Sequence, residues 1–207
     1  MRTVVTLALL SLTVVAGCAS TDNGDTKPKK SRLTRFAFKK DLESNRPTGK
    51  KLPKQEGVEL VDAMGKSVKL SDFRGKPMVL AVMRGFAGFV CPYCTTQTAQ
   101  LATRYEEIKA AGAEVVIVYP TKSEEPEKIK DFVEACNEIL EEEGEDALPF
   151  PVLLDPGVKL VTKYNLEGID LSRPSLFVLD AEGLVRYAYV GKKVSDRPSP
   201  DRILEEL

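Results

Sequence analysis

Gly85-Phe86-Ala87-Gly88-Phe89-Val90-Cys91-Pro92-Tyr93-Cys94-Thr95-Thr96-Gln97 reads as a handover from strand to helix. Residues 78–83, Met-Val-Leu-Ala-Val-Met, form the continuous apolar run of a strand buried on both faces. Over residues 95–111, Leu101, Tyr105, Ile108 and Ala111 recur at helical spacing, and Gly112 stops the helix. Cys91 and Cys94 therefore fall at a helix start. Free N–H groups and the helix dipole there stabilise a thiolate. Two cysteines three apart share a helix face. Cys91, nearer the helix end, is expected to be the exposed, low-pKa attacker, with Cys94 deeper as the resolving thiol. Pro92 suits the first helical turn, where an N–H has no partner.

Two other readings of the pair are half a zinc site and two packed thiols. A zinc site needs about four ligands. The chain of 207 residues contains no His and only four Cys, at positions 18, 91, 94 and 136. The missing His also excludes Ser-His-Asp and Cys-His catalysis. A net charge of −1 gives no broad attraction to nucleic acid, which is not expected as a partner. No cofactor is expected. Cys136 lies on the apolar face of its helix and reads as a small buried hydrophobe, with a second resolving role as the alternative. The acidic run Glu141–Glu143, Glu145 and Asp146 reads as a solvated helix end.

The rest of the chain alternates. Residues 58–70 give two short strands about Met64-Gly65. Ser71 is placed to cap a helical turn closed by Gly75. Residues 114–119 and 150–154 read as buried strands, 124–143 as an amphipathic helix, and Asp155 as the cap of another helix. Residues 175–179 and 184–190 make a hairpin around Asp180-Ala-Glu-Gly183, and a last helix starts near Ser199. The order, ββ then βαβαβα then ββα, implies a parallel or mixed sheet with helices on both faces.

The N-terminus has a different character. Arg2 followed by a short apolar run, residues 4–15, reads as a secretory signal over residues 1–17. Val15-Ala16-Gly17-Cys18 resembles the bacterial lipoprotein lipobox. The resemblance implies cleavage before Cys18, lipid on that residue, and a place in the bacterial cell envelope facing the periplasm or the exterior. Residues 18–50 are polar and basic and read as a flexible tether, with the folded domain over residues 51–207. Phe36 and Phe38 are candidates for docking on that domain.

Leu70-Ser-Asp-Phe-Arg-Gly-Lys-Pro77, an apolar strand and then the Cys pair resemble the thioredoxin-like redoxins. That group includes TlpA/ResA-type oxidoreductases and the alkyl hydroperoxide reductase/thiol-specific antioxidant group, the peroxiredoxins. The resemblance implies an α/β thioredoxin-like fold: a central mixed β-sheet flanked by helices, with an N-terminal β-hairpin extension. Leu148-Pro-Phe-Pro-Val-Leu-Leu-Asp-Pro156 and Arg173-Pro-Ser-Leu-Phe-Val-Leu-Asp180 fit the same group. By resemblance Pro174 is cis and faces Cys91, presenting the backbone at residue 173 to a substrate; the plain alternative is a strand-start proline. Arg84 and Arg173 are expected near the thiolate, where a guanidinium lowers its pKa and can hydrogen-bond a peroxide.

The departures are specific. Typical peroxiredoxins carry a Pro seven places and a Thr or Ser three places before the reactive Cys; here those places hold Arg84 and Gly88. Val90 stands where oxidoreductases of this fold often have Trp. Two functions follow: a dithiol–disulfide oxidoreductase using Cys91 and Cys94, favoured by the missing hydroxyl, or a thiol-dependent peroxidase with Cys91 peroxidatic and Cys94 resolving. The implied partners are protein thiols or disulfides, or a small peroxide, with a thioredoxin-type protein as reductant. A non-catalytic domain holding copper or a partner is a third class.

Overall fold

The computed structural model describes residues 31–54, 58–122 and 127–207. Cys18, the leader and the first part of the tether lie outside the described residues.

A seven-stranded sheet organises the chain in the order β2-β1-β5-β4-β3-β6-β7. The short β1 (Leu60–Val61) and β2 (Ser67–Val68) form the expected antiparallel extension, and Val61 pairs with Leu154 of β5. Strands β3 (Met78–Val82), β4 (Glu114–Thr121) and β5 (Val152–Pro156) run parallel. The hairpin β6 (Ser175–Leu179) and β7 (Val185–Val190) runs antiparallel beside β3. The sheet is thus mixed, and its central strands are apolar on both faces because each face is covered.

Side-chain alternation sends Val79 and Ala81 to one face, under α1 (Pro92–Thr103), α2 (Tyr105–Ala110), α3 (Glu127–Glu142) and α5 (Pro200–Leu204). Met78, Leu80 and Val82 go to the other, under α4 (Lys159–Lys163) and the 3-10 turn Leu70–Phe73. The helix expected over residues 95–111 is two helices. The break is at Arg104 (φ −111°, ψ 11°), whose guanidinium is shared between Glu107 of α2 and Asp201 of α5, the latter at 2.5 Å. Asp155 caps α4 as expected, accepting the N–H groups of Leu160 (3.0 Å) and Val161 (3.1 Å). Ser71 is not the cap of the 3-10 turn; Asp72 accepts the Lys69 N–H at 3.1 Å instead.

Residues 31–50 correct the picture of a free tether. They lie as a strap on the domain. Asn45 N–H donates to Ala188 O (3.0 Å), the Asn45 side chain exchanges two bonds with Val190 (both 2.9 Å), and Gly49 N–H donates to Val185 O (2.7 Å). These bonds fill the outer edge of β7, which would otherwise expose a row of unpaired backbone groups. Further back, Gln100 donates to Leu33 O and Phe36 O (2.8 and 3.1 Å), and the Phe36 ring stacks on Tyr93 at 3.9 Å. A polar composition did not keep this segment off the domain because its backbone and three apolar residues, Leu33, Phe36 and Leu42, have waiting partners. Among the described residues no helix is long and apolar enough to cross a membrane.

Candidate active site

Strand β3 ends at Val82, and the loop 83–91 carries the chain over the end of the sheet to α1. Phe86 N–H donates to Pro120 O (2.9 Å), which ties the loop to β4. This contact demands glycine at 85. Its φ is +87°, and a Cβ there would lie 2.2 Å from Pro120 O. Gly85→Ala is therefore expected to destabilise the fold by about 2–4 kcal/mol, through left-handed strain plus a backbone clash. Thermal unfolding checks this, and an unchanged melting temperature would refute it.

Cys91 is the N-cap of α1 and Pro92 its first residue, as expected. The Cys94 N–H turns back to Cys91 O at 2.9 Å. This turn brings the two cysteines together at the start of α1, and each sulfur shifts the titration of the other. Neither sulfur is bonded to another cysteine.

The protonation order runs against the sequence expectation. Cys91 is only 2% exposed. The neighbouring Cys94 sulfur, then burial, push its pKa up. Cys94 is fully buried, which opposes ionisation. That effect is outweighed by the Cys91 thiol, the charge of Arg197 and the Arg84 backbone N–H, and the Cys94 pKa falls to about 6. The helix start does not decide the matter, because the nearest cation lies on the other sulfur.

That cation is Arg197, which the sequence reading missed. It sits in the loop between β7 and α5 and is 1% exposed. Its Nη2 donates to Cys94 Sγ at 3.2 Å, its Nη1 to Gln97 Oε1 at 2.5 Å, and its Nε to Val194 O at 2.7 Å. Locally it is one cation in a polar Lys-Lys-Val-Ser-Asp-Arg-Pro run. The single available hint was global: a buried thiolate in a chain without His needs a Lys or Arg.

Arg84 does lie beside the pair. It is 6% exposed, bonds Asp170 through Nη1 at 2.5 Å and lies over the Phe89 ring at 4.6 Å. Burial opposes its charge, but Asp170 and the Cys91 sulfur outweigh it, and its pKa is raised. Its Nε and Nη2, with the Tyr119 hydroxyl, are buried donors that make no hydrogen bond among the described residues. Tyr119 feels both sulfurs, and its burial pushes its own pKa up.

Two expected site residues are placed differently. Arg173 directs Nη2 to Asn165 O (2.6 Å) and Nε to Glu167 O (3.1 Å), so its donors hold the 165–167 turn rather than a sulfur. Among the described residues no peptide bond is cis, so Pro174 is trans. Its carbonyl accepts the Gly191 N–H at 2.8 Å, and its ring lies where a Cβ on Gly191 would meet it at 3.0 Å. Pro174 fits the plain reading of a proline entering a strand. Cys136 is fully buried in the core, and burial pushes its thiol pKa up.

Residues 48–188 match the AhpC/TSA family. The chain belongs to that family. It is 32% identical over 133 residues to chloroplastic peroxiredoxin Q of Triticum aestivum, covering 63% of this chain and 54% of that protein. It is 25% identical over 138 residues to the thiol-disulfide oxidoreductase ResA of Bacillus cereus, covering 67% and 68%. The chain thus spans about half the length of its peroxiredoxin Q relative. The crystal structure of peroxidoxin BcpB from Mycobacterium tuberculosis superimposes with a TM-score of 0.57 at 18% identity, covering 80% of this chain and 96% of that one. The thioredoxin-like fold expected from the sequence is the fold of this redoxin. Within the family pattern, Arg84 and Gly88 stand where a Pro and a hydroxyl are typical, and Arg197 adds a cation on the second cysteine.

Proposed function

We propose that this AhpC/TSA redoxin is a thiol–disulfide oxidoreductase of the bacterial cell envelope, held to a membrane by lipid on Cys18 and served by a thioredoxin-type partner. The observation that carries the reading is the Cys91–Cys94 turn: two cysteines at the start of α1, tied by the Cys94 N–H to Cys91 O bond, with the Arg197 guanidinium 3.2 Å from the second sulfur. They can form and break a disulfide without unwinding α1. An incoming thiolate attacks one sulfur of the disulfide, the other leaves with the electron pair, and a second thiol resolves the mixed disulfide. Phe89, 55% exposed two residues before Cys91, adds an apolar flank suited to a polypeptide substrate.

Peroxide reduction is the second reading. The family and the unpartnered donors of Arg84 and Tyr119 favour it, since buried N–H and O–H groups beside a thiolate suit a small two-oxygen substrate. Gly88 and the outward-bonded Arg173 weigh against it. Parallel assays separate the two. Thiol–disulfide exchange, read as oxidation of a dithiol peptide by the disulfide form or reduction of insulin disulfides by the dithiol form, with little consumption of hydroperoxide supports the first, and rapid hydroperoxide consumption the second. If neither occurs, and the Cys91→Ser protein behaves like the parent, both readings fail.

A further inference from the structure

Arg197 is a buried cation with no carboxylate among its partners. The described residues give it four contacts: Val194 O, Gln97 Oε1, Met83 Sδ at 3.5 Å and Cys94 Sγ. An unpaired buried charge costs several kcal/mol. Of those four groups, only Cys94 can become an anion. In the reduced protein the thiolate completes the pair. In the disulfide no thiolate exists, and Arg197 is left without a counter-ion.

We infer that Arg197 is a positioning residue that makes Cys94 the leaving group of the Cys91–Cys94 disulfide and renders that disulfide strongly oxidising towards thiols. The inference rests on the dithiol–disulfide reading and adds its direction. A substrate thiolate attacks Cys91 Sγ and forms the new S–S bond. The Cys91–Cys94 bond breaks, and its electron pair stays on Cys94 Sγ, held by Arg197 Nη2. A second substrate thiolate then attacks the substrate sulfur of the mixed disulfide. Cys91 leaves with that electron pair and takes one proton. Two thiols become one disulfide, and the protein gains two electrons. A low-pKa leaving thiol speeds the first step, and stabilising the reduced form raises the potential.

The groups facing Cys94 are Cys91 on its own helix, Arg84 from the β3 loop, Tyr119 from β4 and Arg197 from the loop after β7. Only Arg84 and Arg197 are cationic. The Cys94 pKa is lower in the folded reduced protein than in an unfolded chain. Its contribution to stability is therefore complete above the ordinary thiol range and lost as pH falls through about 6. The oxidised protein has no such contribution.

The test uses the full chain equilibrated with glutathione buffers. Thiolate absorbance is followed against pH, with the Cys91→Ser/Cys94→Ser double variant subtracted to remove Cys18 and Cys136. Arg197→Met is expected to shift the equilibrium at least tenfold towards the disulfide, ~30 mV for a two-electron couple. It should also raise the thiolate midpoint by a pH unit or more, and Arg197→Lys should recover part of both. A folded Arg197→Met protein with unchanged equilibrium and midpoint overturns the inference. Should that variant not fold, the parent protein decides alone: the stability of its reduced form minus that of its oxidised form must rise from pH 5 to 9, and a flat difference overturns the inference. Failure of the parent in both activity assays, with the Arg197 effect intact, would sink the proposed function and leave this inference standing.

Discussion

Cys91→Ser is expected to lower thiol–disulfide turnover on the order of 10⁴-fold, the scale on which loss of an attacking group acts. Cys94→Ser is expected to lose turnover as fully and yet behave differently. Cys91 is the sulfur at the entry to α1, next to exposed Phe89, whereas Cys94 is fully buried beneath it. The Cys94→Ser protein should therefore accumulate a mixed disulfide on Cys91 with a thiol partner. The Cys91→Ser protein should trap little, because its remaining thiolate is held inside by Arg197. Mass spectrometry of each variant after incubation with a disulfide substrate reads this directly. Equal trapping on both cysteines would refute the order of attack.

A chain begun at Lys51 is expected to lose about 2–5 kcal/mol relative to one begun at Ser31. The shortened chain exposes the edge of β7 and forfeits the bonds of Asn45 and Gly49, each worth about 1 kcal/mol net. It also uncovers the surface under the half-buried Phe36 and Leu42, worth about 1 kcal/mol each, less than the ~1.5–3 kcal/mol of a fully buried side chain. The ordering entropy of the strap offsets part of this. For a domain of this size the loss corresponds to roughly 5–15 °C in melting temperature. A shift below about 2 °C between the two chains would show the strap to be a passive linker. Its reach also bears on chemistry. Lys39 exchanges backbone bonds with Arg197 O (3.1 Å) and Ser199 N (2.8 Å), so the strap steadies the loop that delivers Arg197.

Much of this molecule is written in short-range pattern. The run of residues 78–83, the helical spacing after Cys94, the Asp155 cap and the Asp180–Gly183 turn are local signals, and each appears where periodicity and turn chemistry put it. The break at Arg104 was not legible, since one of the two carboxylates that hold its guanidinium, Asp201, arrives from 97 positions along the chain, beside the local Glu107. The strap was misread because composition reports solubility, while docking depends on which edge is left unpaired.

The sequence by itself determined that Cys91 and Cys94 lie together at the start of one helix after a buried strand, because the strand, the helix start and the spacing are all local. It did not determine which sulfur holds the charge. Electrostatics in a buried site is set by the nearest charge in space, and here that charge comes from a residue 103 positions away in the chain. The fold lays Arg197 against Cys94 and turns Arg173 towards Asn165 and Glu167, which favours charge on the second cysteine over the first.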